Sequence, residues 1–338
     1  MSSVVPKVAV IGCGISGAVC ASTLAKNGVA VTAFDLGRGP GGRMSQRRKG
    51  NPNREFSRFR HRWFEAKGPS LYMNELSSRK YVGIPGMNSI CRALCDEPGI
   101  ESKFGTGVAK MEWAVDQNSW SLISLDGKFL GDFSGLVATD KILASPGFTY
   151  VTGHPPPLDM NLAPQMASRL EEVPFRSYFV LMLAFHEPLR SIPVKGLSFI
   201  NSAILSCAFC DSSKPGRASA SECWVLHSTE EYAKKVIADA GRTKASDITL
   251  ARVSEDLLQE FQRTGLCTSQ PYFMKAHRWG SAFPTISIAR EDKCLWDVNK
   301  RLIVCGDFCV SPNVEGAIRS GLAAASKFME MCSCTPCL

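Results

Sequence analysis

The sequence has 338 residues, of which 45% are hydrophobic and 21% are charged, and its formal net charge is +8. This composition supports one large or two medium globular domains and excludes a low-complexity chain. No apolar run reaches the length of a transmembrane helix, so we expect a soluble protein. Much of the positive charge falls in residues 43–67. We interpret this stretch as a solvated basic loop and expect no nucleic-acid partner, because no nucleic-acid-binding motif accompanies it.

The chain contains 14 cysteines. Their spacing is uneven and several fall in predicted core elements, so we expect mostly reduced, buried thiols. The pair Cys207 and Cys210 has no second pair at zinc-site spacing, and we predict no metal site. No secretory signal precedes the first predicted strand. We therefore expect a cytoplasmic protein, or an organellar one, for example in a plastid, if the natural N-terminus is longer. Nothing in the sequence indicates an oligomeric state.

The first predicted elements form a strand–helix–strand unit. Residues 7–11 are a short apolar run and predict a buried strand, and residues 15–26 have the spacing of a helix. Gly28 stands at the position where a glycine commonly ends a helix. Residues 29–34 are β-branched and apolar and predict a second strand. Two strands joined by so short a crossover should be parallel neighbours.

The later elements alternate between strands and helices, and residues 46–80 match neither pattern. Residues 146–164 are rich in proline and suggest a crossing between two domains. In chain order, the remaining predictions are a helix at 87–95, a strand at 101–113, a hairpin of 120–125 and 128–133, strands at 136–139, 178–185 and 222–228, helices at 230–240 and 245–264, a strand at 301–304 and a helix at 314–331.

The glycine-rich loop at 12–17 carries the strongest chemical signal. Gly12 permits the tight turn out of the strand, Gly14 lets the backbone approach a pyrophosphate, and Gly17 lets the helix pack closely on the strand. Ile15 and Ser16 begin the helix, whose N-terminus attracts phosphates. Asp35 ends the second strand, where a carboxylate accepts hydrogen bonds from a ribose diol. The pattern predicts a Rossmann-type dinucleotide site, and the charge of Asp35 disfavours NADP there.

A second glycine-rich loop follows Asp35 and favours FAD over NAD as the dinucleotide. Gly41 and Gly42 allow close backbone approach, Arg43 can bind a phosphate through two hydrogen bonds, and Met44 continues the loop. An NAD-dependent dehydrogenase has no need of a second loop here, whereas a larger, bent dinucleotide does.

A third segment near the C-terminus completes the expected cofactor site. An apolar strand ends at Gly306 and Asp307, which could contact the ribityl or phosphate part of a flavin. A helix follows, lined by small residues, and its N-terminus could stabilise a reduced flavin. The residues that we assign to cofactor binding at the start of that helix are Glu315, Gly316 and Ala317.

As a set, these motifs resemble the renalase family within the flavin amine oxidase-like superfamily. The resemblance covers most of the chain. It is carried by Phe34-Asp35, the run 38–45, the run 81–87, His277-Arg278-Trp279, Gly306-Asp307 and Glu315-Gly316-Ala317.

The resemblance implies an α/β fold with two domains. The first is a Rossmann-type FAD-binding domain of the glutathione-reductase type, formed by residues 1–50, 86–150 and 286–331. The second is an α+β substrate domain built on an antiparallel sheet, formed by residues 51–85 and 151–285. Residues 332–338 form a Cys-rich tail. By position, Val108 would lie near the adenine of FAD.

The implied activity is that of an FAD-dependent oxidase. The family oxidises isomeric dihydronicotinamide dinucleotides, with hydride transfer to flavin and O2 as the acceptor that becomes H2O2. Hydride transfer needs positioning more than acid–base chemistry. Our candidate substrate contacts are His277, which could bond a carboxamide, Arg278, which could pair with a phosphate, and Trp279, which could stack on a ring.

Three alternatives remain open at this point. The first is an FAD amine oxidase. The second is a shortened variant that has lost flavin binding and catalysis, because the interval 46–80 is shorter than in relatives and contains no recognisable match to their flavin-contacting strand motif. The third is an NAD-dependent dehydrogenase without flavin.

Overall fold

The structure is a computed structural model and describes residues 5–45, 64–65, 81–158, 161–189, 196–217, 221–241, 245–265 and 267–333. In chain order its elements are β1 (Lys7–Ile11), α1 (Ile15–Lys26), β2 (Ala30–Asp35), β3 (Phe64–Glu65), β4 (Tyr81–Val82), α2 (Asn88–Cys95), β5 (Ile100–Phe104), β6 (Val108–Ala114), β7 (Ser119–Ser124), β8 (Phe129–Phe133), β9 (Gly135–Ala138), α3 (Pro146–Thr152), α4 (Pro164–Glu171), β10 (Phe175–Phe185), β11 (Gly196–Ser198), β12 (Leu205–Cys210), β13 (Glu222–Ser228), α5 (Glu230–Ala240), α6 (Asp247–Arg263), β14 (Phe273–Pro284), β15 (Leu295–Asp297), β16 (Leu302–Val304), α7 (Asp307–Val310) and α8 (Val314–Ser333).

The chain divides into two compact units. The first unit comprises Met1–His61, Met87–Pro174 and Phe283–Leu338, and the second comprises Arg62–Gly86 and Phe175–Ala282. Both units are discontinuous in sequence, so segments from the two ends of the chain fold together in the first.

The first unit is built on a six-stranded sheet in the order β15-β16-β9-β1-β2-β5. Its central strands pair in parallel, and only the edge strand β15 runs antiparallel to its neighbour. The central strands are short, almost continuously apolar runs, as expected where a parallel sheet is covered on both faces. The predicted parallel pairing of the first two strands is confirmed, and with it the Rossmann-type architecture.

Helices α1 and α8 cover one face of this sheet and lie very close together. A Cβ at Gly321 of α8 would lie 2.3 Å from the carbonyl oxygen of Ser16 in α1, so the close approach requires glycine. Phe328 of α8 is fully buried and covers Gly135 of β9, where a Cβ would lie 2.1 Å from the ring. Small residues on α8 therefore set the depth at which this helix packs.

The three-stranded antiparallel sheet β6-β7-β8 belongs to the same unit. Phe133 of β8 packs edge-to-face on Phe34 of β2, with ring centroids 5.8 Å apart. The single predicted strand at 101–113 is wrong, because the structure has two strands here in two different sheets. The chain turns between them at Gly105, whose φ of +72° suits glycine and which interrupts the extended conformation.

The proline-rich stretch 146–164 does not cross between the units as predicted. It contains α3 and the start of α4, and the whole segment up to Pro174 lies in the first unit rather than in the predicted substrate domain. The backbone N–H of Leu158 donates to the carbonyl oxygen of Leu143 at 2.9 Å, and Lys141 Nζ donates to the carbonyl oxygen of Leu170. Two of its prolines, Pro146 and Pro164, begin helices, since proline suits the first helical turn.

The second unit contains a five-stranded sheet in the order β11-β12-β13-β10-β14, together with α5 and α6. The pairs β10–β13, β11–β12 and β12–β13 are antiparallel. Thr229 and Ser246 cap α5 and α6, each accepting a hydrogen bond from a backbone N–H in the first helical turn. The predicted second α+β domain on an antiparallel sheet is confirmed. Within the described residues, no helix combines the length and apolarity needed to cross a bilayer.

Candidate dinucleotide-binding site

Two positions of the loop between β1 and α1 have no room for a side chain. Gly12 has a φ of +101°, and a Cβ there would lie 2.4 Å from Thr139 Oγ1. A Cβ at Gly17 would lie 1.9 Å from the carbonyl oxygen of Gly12. These contacts support the roles predicted for the first and third glycines, a tight turn and close helix–strand packing.

Gly14 differs from both, because a Cβ built there would meet no atom of the described residues within 4 Å. It caps α1 without a side-chain hydrogen bond, and the first turn of the helix contains no acidic residue. Ile15 and Ser16 are buried beside it, and Ser16 Oγ donates to Cys305 Sγ at 3.4 Å. Open space in front of an uncapped helix N-terminus suits a pyrophosphate.

Asp35 ends β2 next to this loop. Its Oδ2 accepts a hydrogen bond from the backbone N–H of Cys13 at 2.7 Å, and its Oδ1 accepts one from Gly37 at 2.6 Å. Burial raises the pKa of Asp35, the two backbone donors lower it in part, and the charge of Asp140 raises it further. Each carboxylate oxygen has a second lone pair with which it can accept from a ribose hydroxyl.

The segment predicted to lie near the adenine runs alongside Asp35. The N–H of Thr106 donates to the carbonyl oxygen of Asp35 at 2.9 Å, and the N–H of Gly105 donates to that of Gly37 at 2.8 Å. Val108 begins β6 two residues later and is buried. The structure therefore brings Val108 to the same end of β2 as the ribose candidate.

The second glycine-rich loop packs directly on the first. The N–H of Gly41 donates to the carbonyl oxygen of Cys13 at 2.8 Å, and a Cβ at Gly42 would lie 3.3 Å from Gly14 Cα. Both glycines have positive φ, +133° and +51°. Met44 closes the turn by donating its N–H to the Gly41 carbonyl oxygen at 2.8 Å.

Arg43 and Asp307 form an ion pair that joins this loop to the C-terminal segment. Arg43 Nη1 donates to Asp307 Oδ2 at 2.7 Å, and Nη2 donates to Oδ1 at 2.6 Å. The side chain of Asp307 is 3% exposed, whereas that of Arg43 is 39% exposed. The sequence predicted both residues as cofactor contacts but did not predict their pairing. Asp307 begins α7 directly after Gly306, whose N–H donates to Ser320 Oγ at 2.9 Å.

The start of α8 differs from that of α1. The N–H of Gly316 already donates to Asn313 Oδ1 at 2.7 Å, and the first turn contains the exposed acid Glu315. Gly316 and Ala317 are buried, and a Cβ at Gly316 would lie 2.3 Å from the carbonyl oxygen of Ser311. An occupied N–H and an acidic side chain make this terminus less suited to an anion than that of α1.

Comparison with known proteins agrees with this geometry. Residues 10–73 match the NAD(P)-binding Rossmann-like domain family. Wild-type putrescine oxidase bound to putrescine superposes with a TM-score of 0.59 and 12% identity, covering 97% of this chain and 99% of that one. The chain has the fold of putrescine oxidase.

Two further solved structures share this fold at the same identity of 12%. A putrescine oxidase double mutant from a redesign of cofactor binding has a TM-score of 0.59 and covers 96% of this chain and 99% of that one. An oxidoreductase from Methanosarcina mazei has a TM-score of 0.60, with 96% and 100% covered.

Taken together, the residues of the first unit fit a large dinucleotide. The two glycine loops meet at the open N-terminus of α1, a carboxylate lies at the end of β2, and an arginine stands between the second loop and Asp307. These groups could hold a pyrophosphate, a ribose and a second phosphate-bearing arm.

The candidate substrate residues lie in the second unit, on β14. His277 and Trp279 share one face of the strand and contact each other edge-to-face, with ring centroids 4.7 Å apart. Arg278 points to the opposite face, as alternate residues of a strand do, and its Nη1 donates to the carbonyl oxygen of Gly241 at 3.3 Å. The strand therefore separates Arg278 from the aromatic pair.

Two residues after β9 were missed by the sequence reasoning. Thr139 Oγ1 lies 2.9 Å from the carbonyl oxygens of both Ile11 and Gly12 and so holds the first glycine turn. Asp140 acts electrostatically on Asp35 and Arg43 through its charge. Their position is the available signal, because polar residues at the carboxyl end of a parallel strand lie beside the ligand crevice.

The cysteines of the described part of the chain carry no disulfide. Cys207 and Cys210 lie three residues apart on β12 and face opposite sides of the sheet, so they cannot form a bond with each other. Among the residues that the structure describes, no group of three or more His, Cys, Asp or Glu could hold a metal ion.

Proposed function

We propose that this chain is an FAD-dependent oxidoreductase. The observation that carries the proposal is the convergence of three segments, 12–17, 41–43 and 306–307, around the uncapped N-terminus of α1. The loop 12–17 and Asp35 suffice for a small dinucleotide, whereas the second loop and the Arg43–Asp307 pair extend the site. A longer, bent dinucleotide accounts for all three.

Each group of the first unit has a defined task in this proposal. The first turn of α1 offers its N–H groups to the pyrophosphate, and Gly14 leaves the space for it. Asp35 accepts from ribose hydroxyls while the N–H groups of Cys13 and Gly37 fix its orientation. Arg43 remains oriented by Asp307 and presents its exposed edge to a phosphate or ribityl oxygen. When bound, FAD would supply the capacity to take a hydride and deliver the electrons to O2.

For the reaction, we propose oxidation of a dihydronicotinamide-type substrate with O2 as the acceptor. The hydride and one proton from solvent reduce O2 to H2O2 and leave the oxidised nicotinamide. The support is the renalase-like set of motifs together with the aromatic pair His277 and Trp279 on β14, which offers a ring face and an imidazole to a nicotinamide.

An FAD amine oxidase is the second candidate. It is favoured by the fold shared with putrescine oxidase, one structure of which contains bound putrescine. A third candidate is a form that does not retain flavin, which the short interval 46–80 favours. Most of that interval lies outside the described residues.

The first experiment is the visible absorption spectrum of the purified chain, before and after incubation with FAD and desalting. A retained flavin spectrum supports the proposal. A protein that stays colourless and takes up NAD supports a flavin-free dehydrogenase, and one that stays colourless and binds neither supports the non-catalytic form.

The second experiment separates the two oxidase candidates. The flavin-loaded protein is mixed without oxygen with isomeric dihydronicotinamide dinucleotides or with putrescine and other amines, and the flavin absorbance is followed. Bleaching by the dinucleotides alone, with H2O2 appearing when air is admitted, is the expected result. Bleaching by amines alone would replace the substrate proposal with the amine oxidase.

A further inference from the structure

The loop between β12 and β13 holds two cations around one carboxylate. Lys214 Nζ lies 2.8 Å from Asp211 Oδ1, and Arg217 Nη1 contacts the same oxygen. Burial alone would raise the pKa of Asp211, but the two cations outweigh it and the pKa is lowered. Two cations therefore share one ionised carboxylate, and the cluster has one positive charge in excess.

Arg217 is buried with part of its hydrogen-bonding capacity unused. Its side chain is 10% exposed, and no partner for its Nε occurs among the described residues. Buried polar atoms almost always have a partner, so an orphaned guanidinium nitrogen points to a missing acceptor. Asp211 engages the guanidinium through Nη1, and the edge that carries Nε keeps an unused donor. That edge can donate to an oxygen of a phosphate or carboxylate.

The neighbours of this edge extend the site. His227 of β13 is close enough to Lys214 to sense its charge; burial and then that charge lower the pKa of His227, so the imidazole is neutral at pH 7 and retains an N–H donor. Phe209 meets His227 edge-to-face at 6.2 Å between centroids and is 45% exposed. The loop is held in place at Gly216, where a Cβ would lie 2.5 Å from Ile84 Cδ1.

We infer that Lys214, Arg217 and His227 form an anion subsite in the second unit for the phosphate group of a phosphorylated ligand. A guanidinium edge, an ammonium and an imidazole N–H can together engage three oxygens, which a phosphate offers and a carboxylate does not. The exposed ring of Phe209 gives an attached base an apolar face on which to stack. The composition therefore suits a nucleotide better than a free inorganic ion.

The subsite bears on the choice between the two oxidase substrates. A dihydronicotinamide dinucleotide carries phosphates that the cluster would attract, whereas a diamine such as putrescine would be repelled by its positive charge. This assignment to the oxidation reaction rests on the proposed function, but the subsite itself does not.

The test uses His227 as a local reporter. The protein is labelled with 13C-histidine, the His227 resonance is assigned from the spectrum of His227→Gln, and inorganic pyrophosphate is added. We expect a saturable shift of that resonance in the wild-type chain. Arg217→Gln and Lys214→Gln should each weaken the apparent affinity by about tenfold or more, since each removes a charge-assisted hydrogen bond. Lys234→Gln removes an exposed lysine of the same unit and is the matched control.

Two further measurements separate loss of binding from loss of folding and a nucleotide from a simple phosphate. Circular dichroism establishes that the variants are folded, and Arg217→Lys retains the charge but lacks the planar edge, so it should bind more weakly than the wild type. AMP should bind more tightly than pyrophosphate if Phe209 holds the base. Equal affinities would show that the subsite binds a phosphate group but does not recognise a nucleotide base.

A His227 resonance that does not move, or that moves equally in Arg217→Gln and Lys234→Gln, would overturn the subsite. Because the signal is read at His227, the result does not require bound FAD. Failure of the oxidoreductase proposal would appear in the absorption spectrum instead.

Discussion

At the scale of single residues, the glycines of the first loop are required for two different reasons. Gly17 is required by the protein itself, because a Cβ would lie 1.9 Å from the Gly12 carbonyl oxygen. A Cβ at Gly14 would meet no atom of the described residues within 4 Å, and its φ of −66° is one that any residue can adopt. A ligand in front of Gly14 would add to its value as a helix cap a second reason for a glycine there.

This difference predicts unequal stabilities for two alanine variants that should both bind FAD more weakly. Gly17→Ala should lower the free energy of unfolding by about 1–3 kcal/mol through overpacking and should also lose FAD. Gly14→Ala should stay within about 1 kcal/mol of the wild type, because alanine is only a poorer helix cap than glycine. Its new methyl group occupies the proposed pyrophosphate space, so FAD affinity should still fall by about tenfold or more.

Urea unfolding gives the stabilities, and flavin fluorescence during FAD titration gives the affinities. A Gly14→Ala variant that is stable and binds FAD as the wild type does would show that the pyrophosphate does not lie at this glycine.

The Arg43–Asp307 pair gives a second prediction at this scale. Arg43→Met leaves the buried carboxylate of Asp307 without its partner, which costs far more than losing an exposed pair. Because Arg43 is itself partly exposed, we expect the free energy of unfolding to fall by about 2 kcal/mol. This value lies between those for exposed and buried ion pairs. Thermal and urea unfolding without added cofactor measure it.

The matched control for this variant is Lys234→Met. It breaks the surface pair with Glu230, spaced four residues apart on α5, and should leave the free energy of unfolding almost unchanged. Equal losses in the two variants would mean that Asp307 finds a substitute partner when Arg43 is removed.

These residues also mark what local sequence could predict. Gly12, Gly17 and Asp35 occupy positions whose roles follow from backbone geometry within one strand–helix–strand unit. The pairing of Arg43 with Asp307 joins residues 264 positions apart, and it depends on where β16 lies in the sheet. No local pattern contains that information, so the sequence identified both residues but not the bond between them.

At the scale of elements, the contact between α1 and α8 links the C-terminal helix to the cofactor loop. Gly321→Ala should place a Cβ 2.3 Å from the Ser16 carbonyl oxygen and push apart the two helices. The intrinsic preference of helices for alanine opposes this loss, so we expect a net destabilisation of about 1–2 kcal/mol. Because Ser16 lies in the first turn of α1, FAD affinity should fall as well.

The neighbouring substitution Leu322→Ala is the control for this prediction. Leu322 is 44% exposed and faces away from the helix contact, so its truncation should have little effect on either measurement. Urea unfolding and FAD titration of both variants provide the comparison. A stabilised Gly321→Ala would mean that the two helices can separate without cost.

The type of an element could be predicted where the spacing of its hydrophobic residues and its capping residue indicated the same structure. The strand Glu222–Ser228 and the helix Glu230–Ala240 have the predicted bounds, because a threonine cap separates an alternating pattern from a helical one. The predictions failed where a glycine or a proline is compatible with two different structures. At Gly105 a glycine divides what was predicted as one strand, and in 146–164 Pro146 and Pro164 begin helices instead of marking a linker.

At the scale of the whole molecule, the division into two units depends on contacts between distant parts of the chain. The C-terminal strands join a sheet begun at residue 7, and the chain enters the first unit three times, at its start, at Met87 and at Phe283. The sequence predicted this discontinuous organisation through a family resemblance. It placed the boundary near residue 150 instead of at Pro174, because the contacts of Leu158 with Leu143 and of Arg169 with Ile288 are not local.

The cysteines provide a prediction for the molecule as a whole. Of the described cysteines, nine are buried and three, Cys207, Cys223 and Cys332, are half-buried. Burial raises the pKa of Cys91 and of Cys305 to about 12, so their thiolate fraction at pH 8 is negligible. The fold should therefore protect most thiols from an aromatic disulfide reagent at this pH.

Of the twelve described cysteines, we expect the three half-buried thiols to react rapidly with the reagent in the native protein. The nine buried thiols should react only at the rate at which the molecule opens, and all 14 cysteines of the sequence should react at once in guanidinium chloride. Variants that lower global stability, such as Gly17→Ala, should speed the slow phase without changing the number of rapid thiols. Rapid reaction of more than half of the cysteines in the native protein would mean that the cores of the two units exclude solvent far less than their side-chain burial indicates.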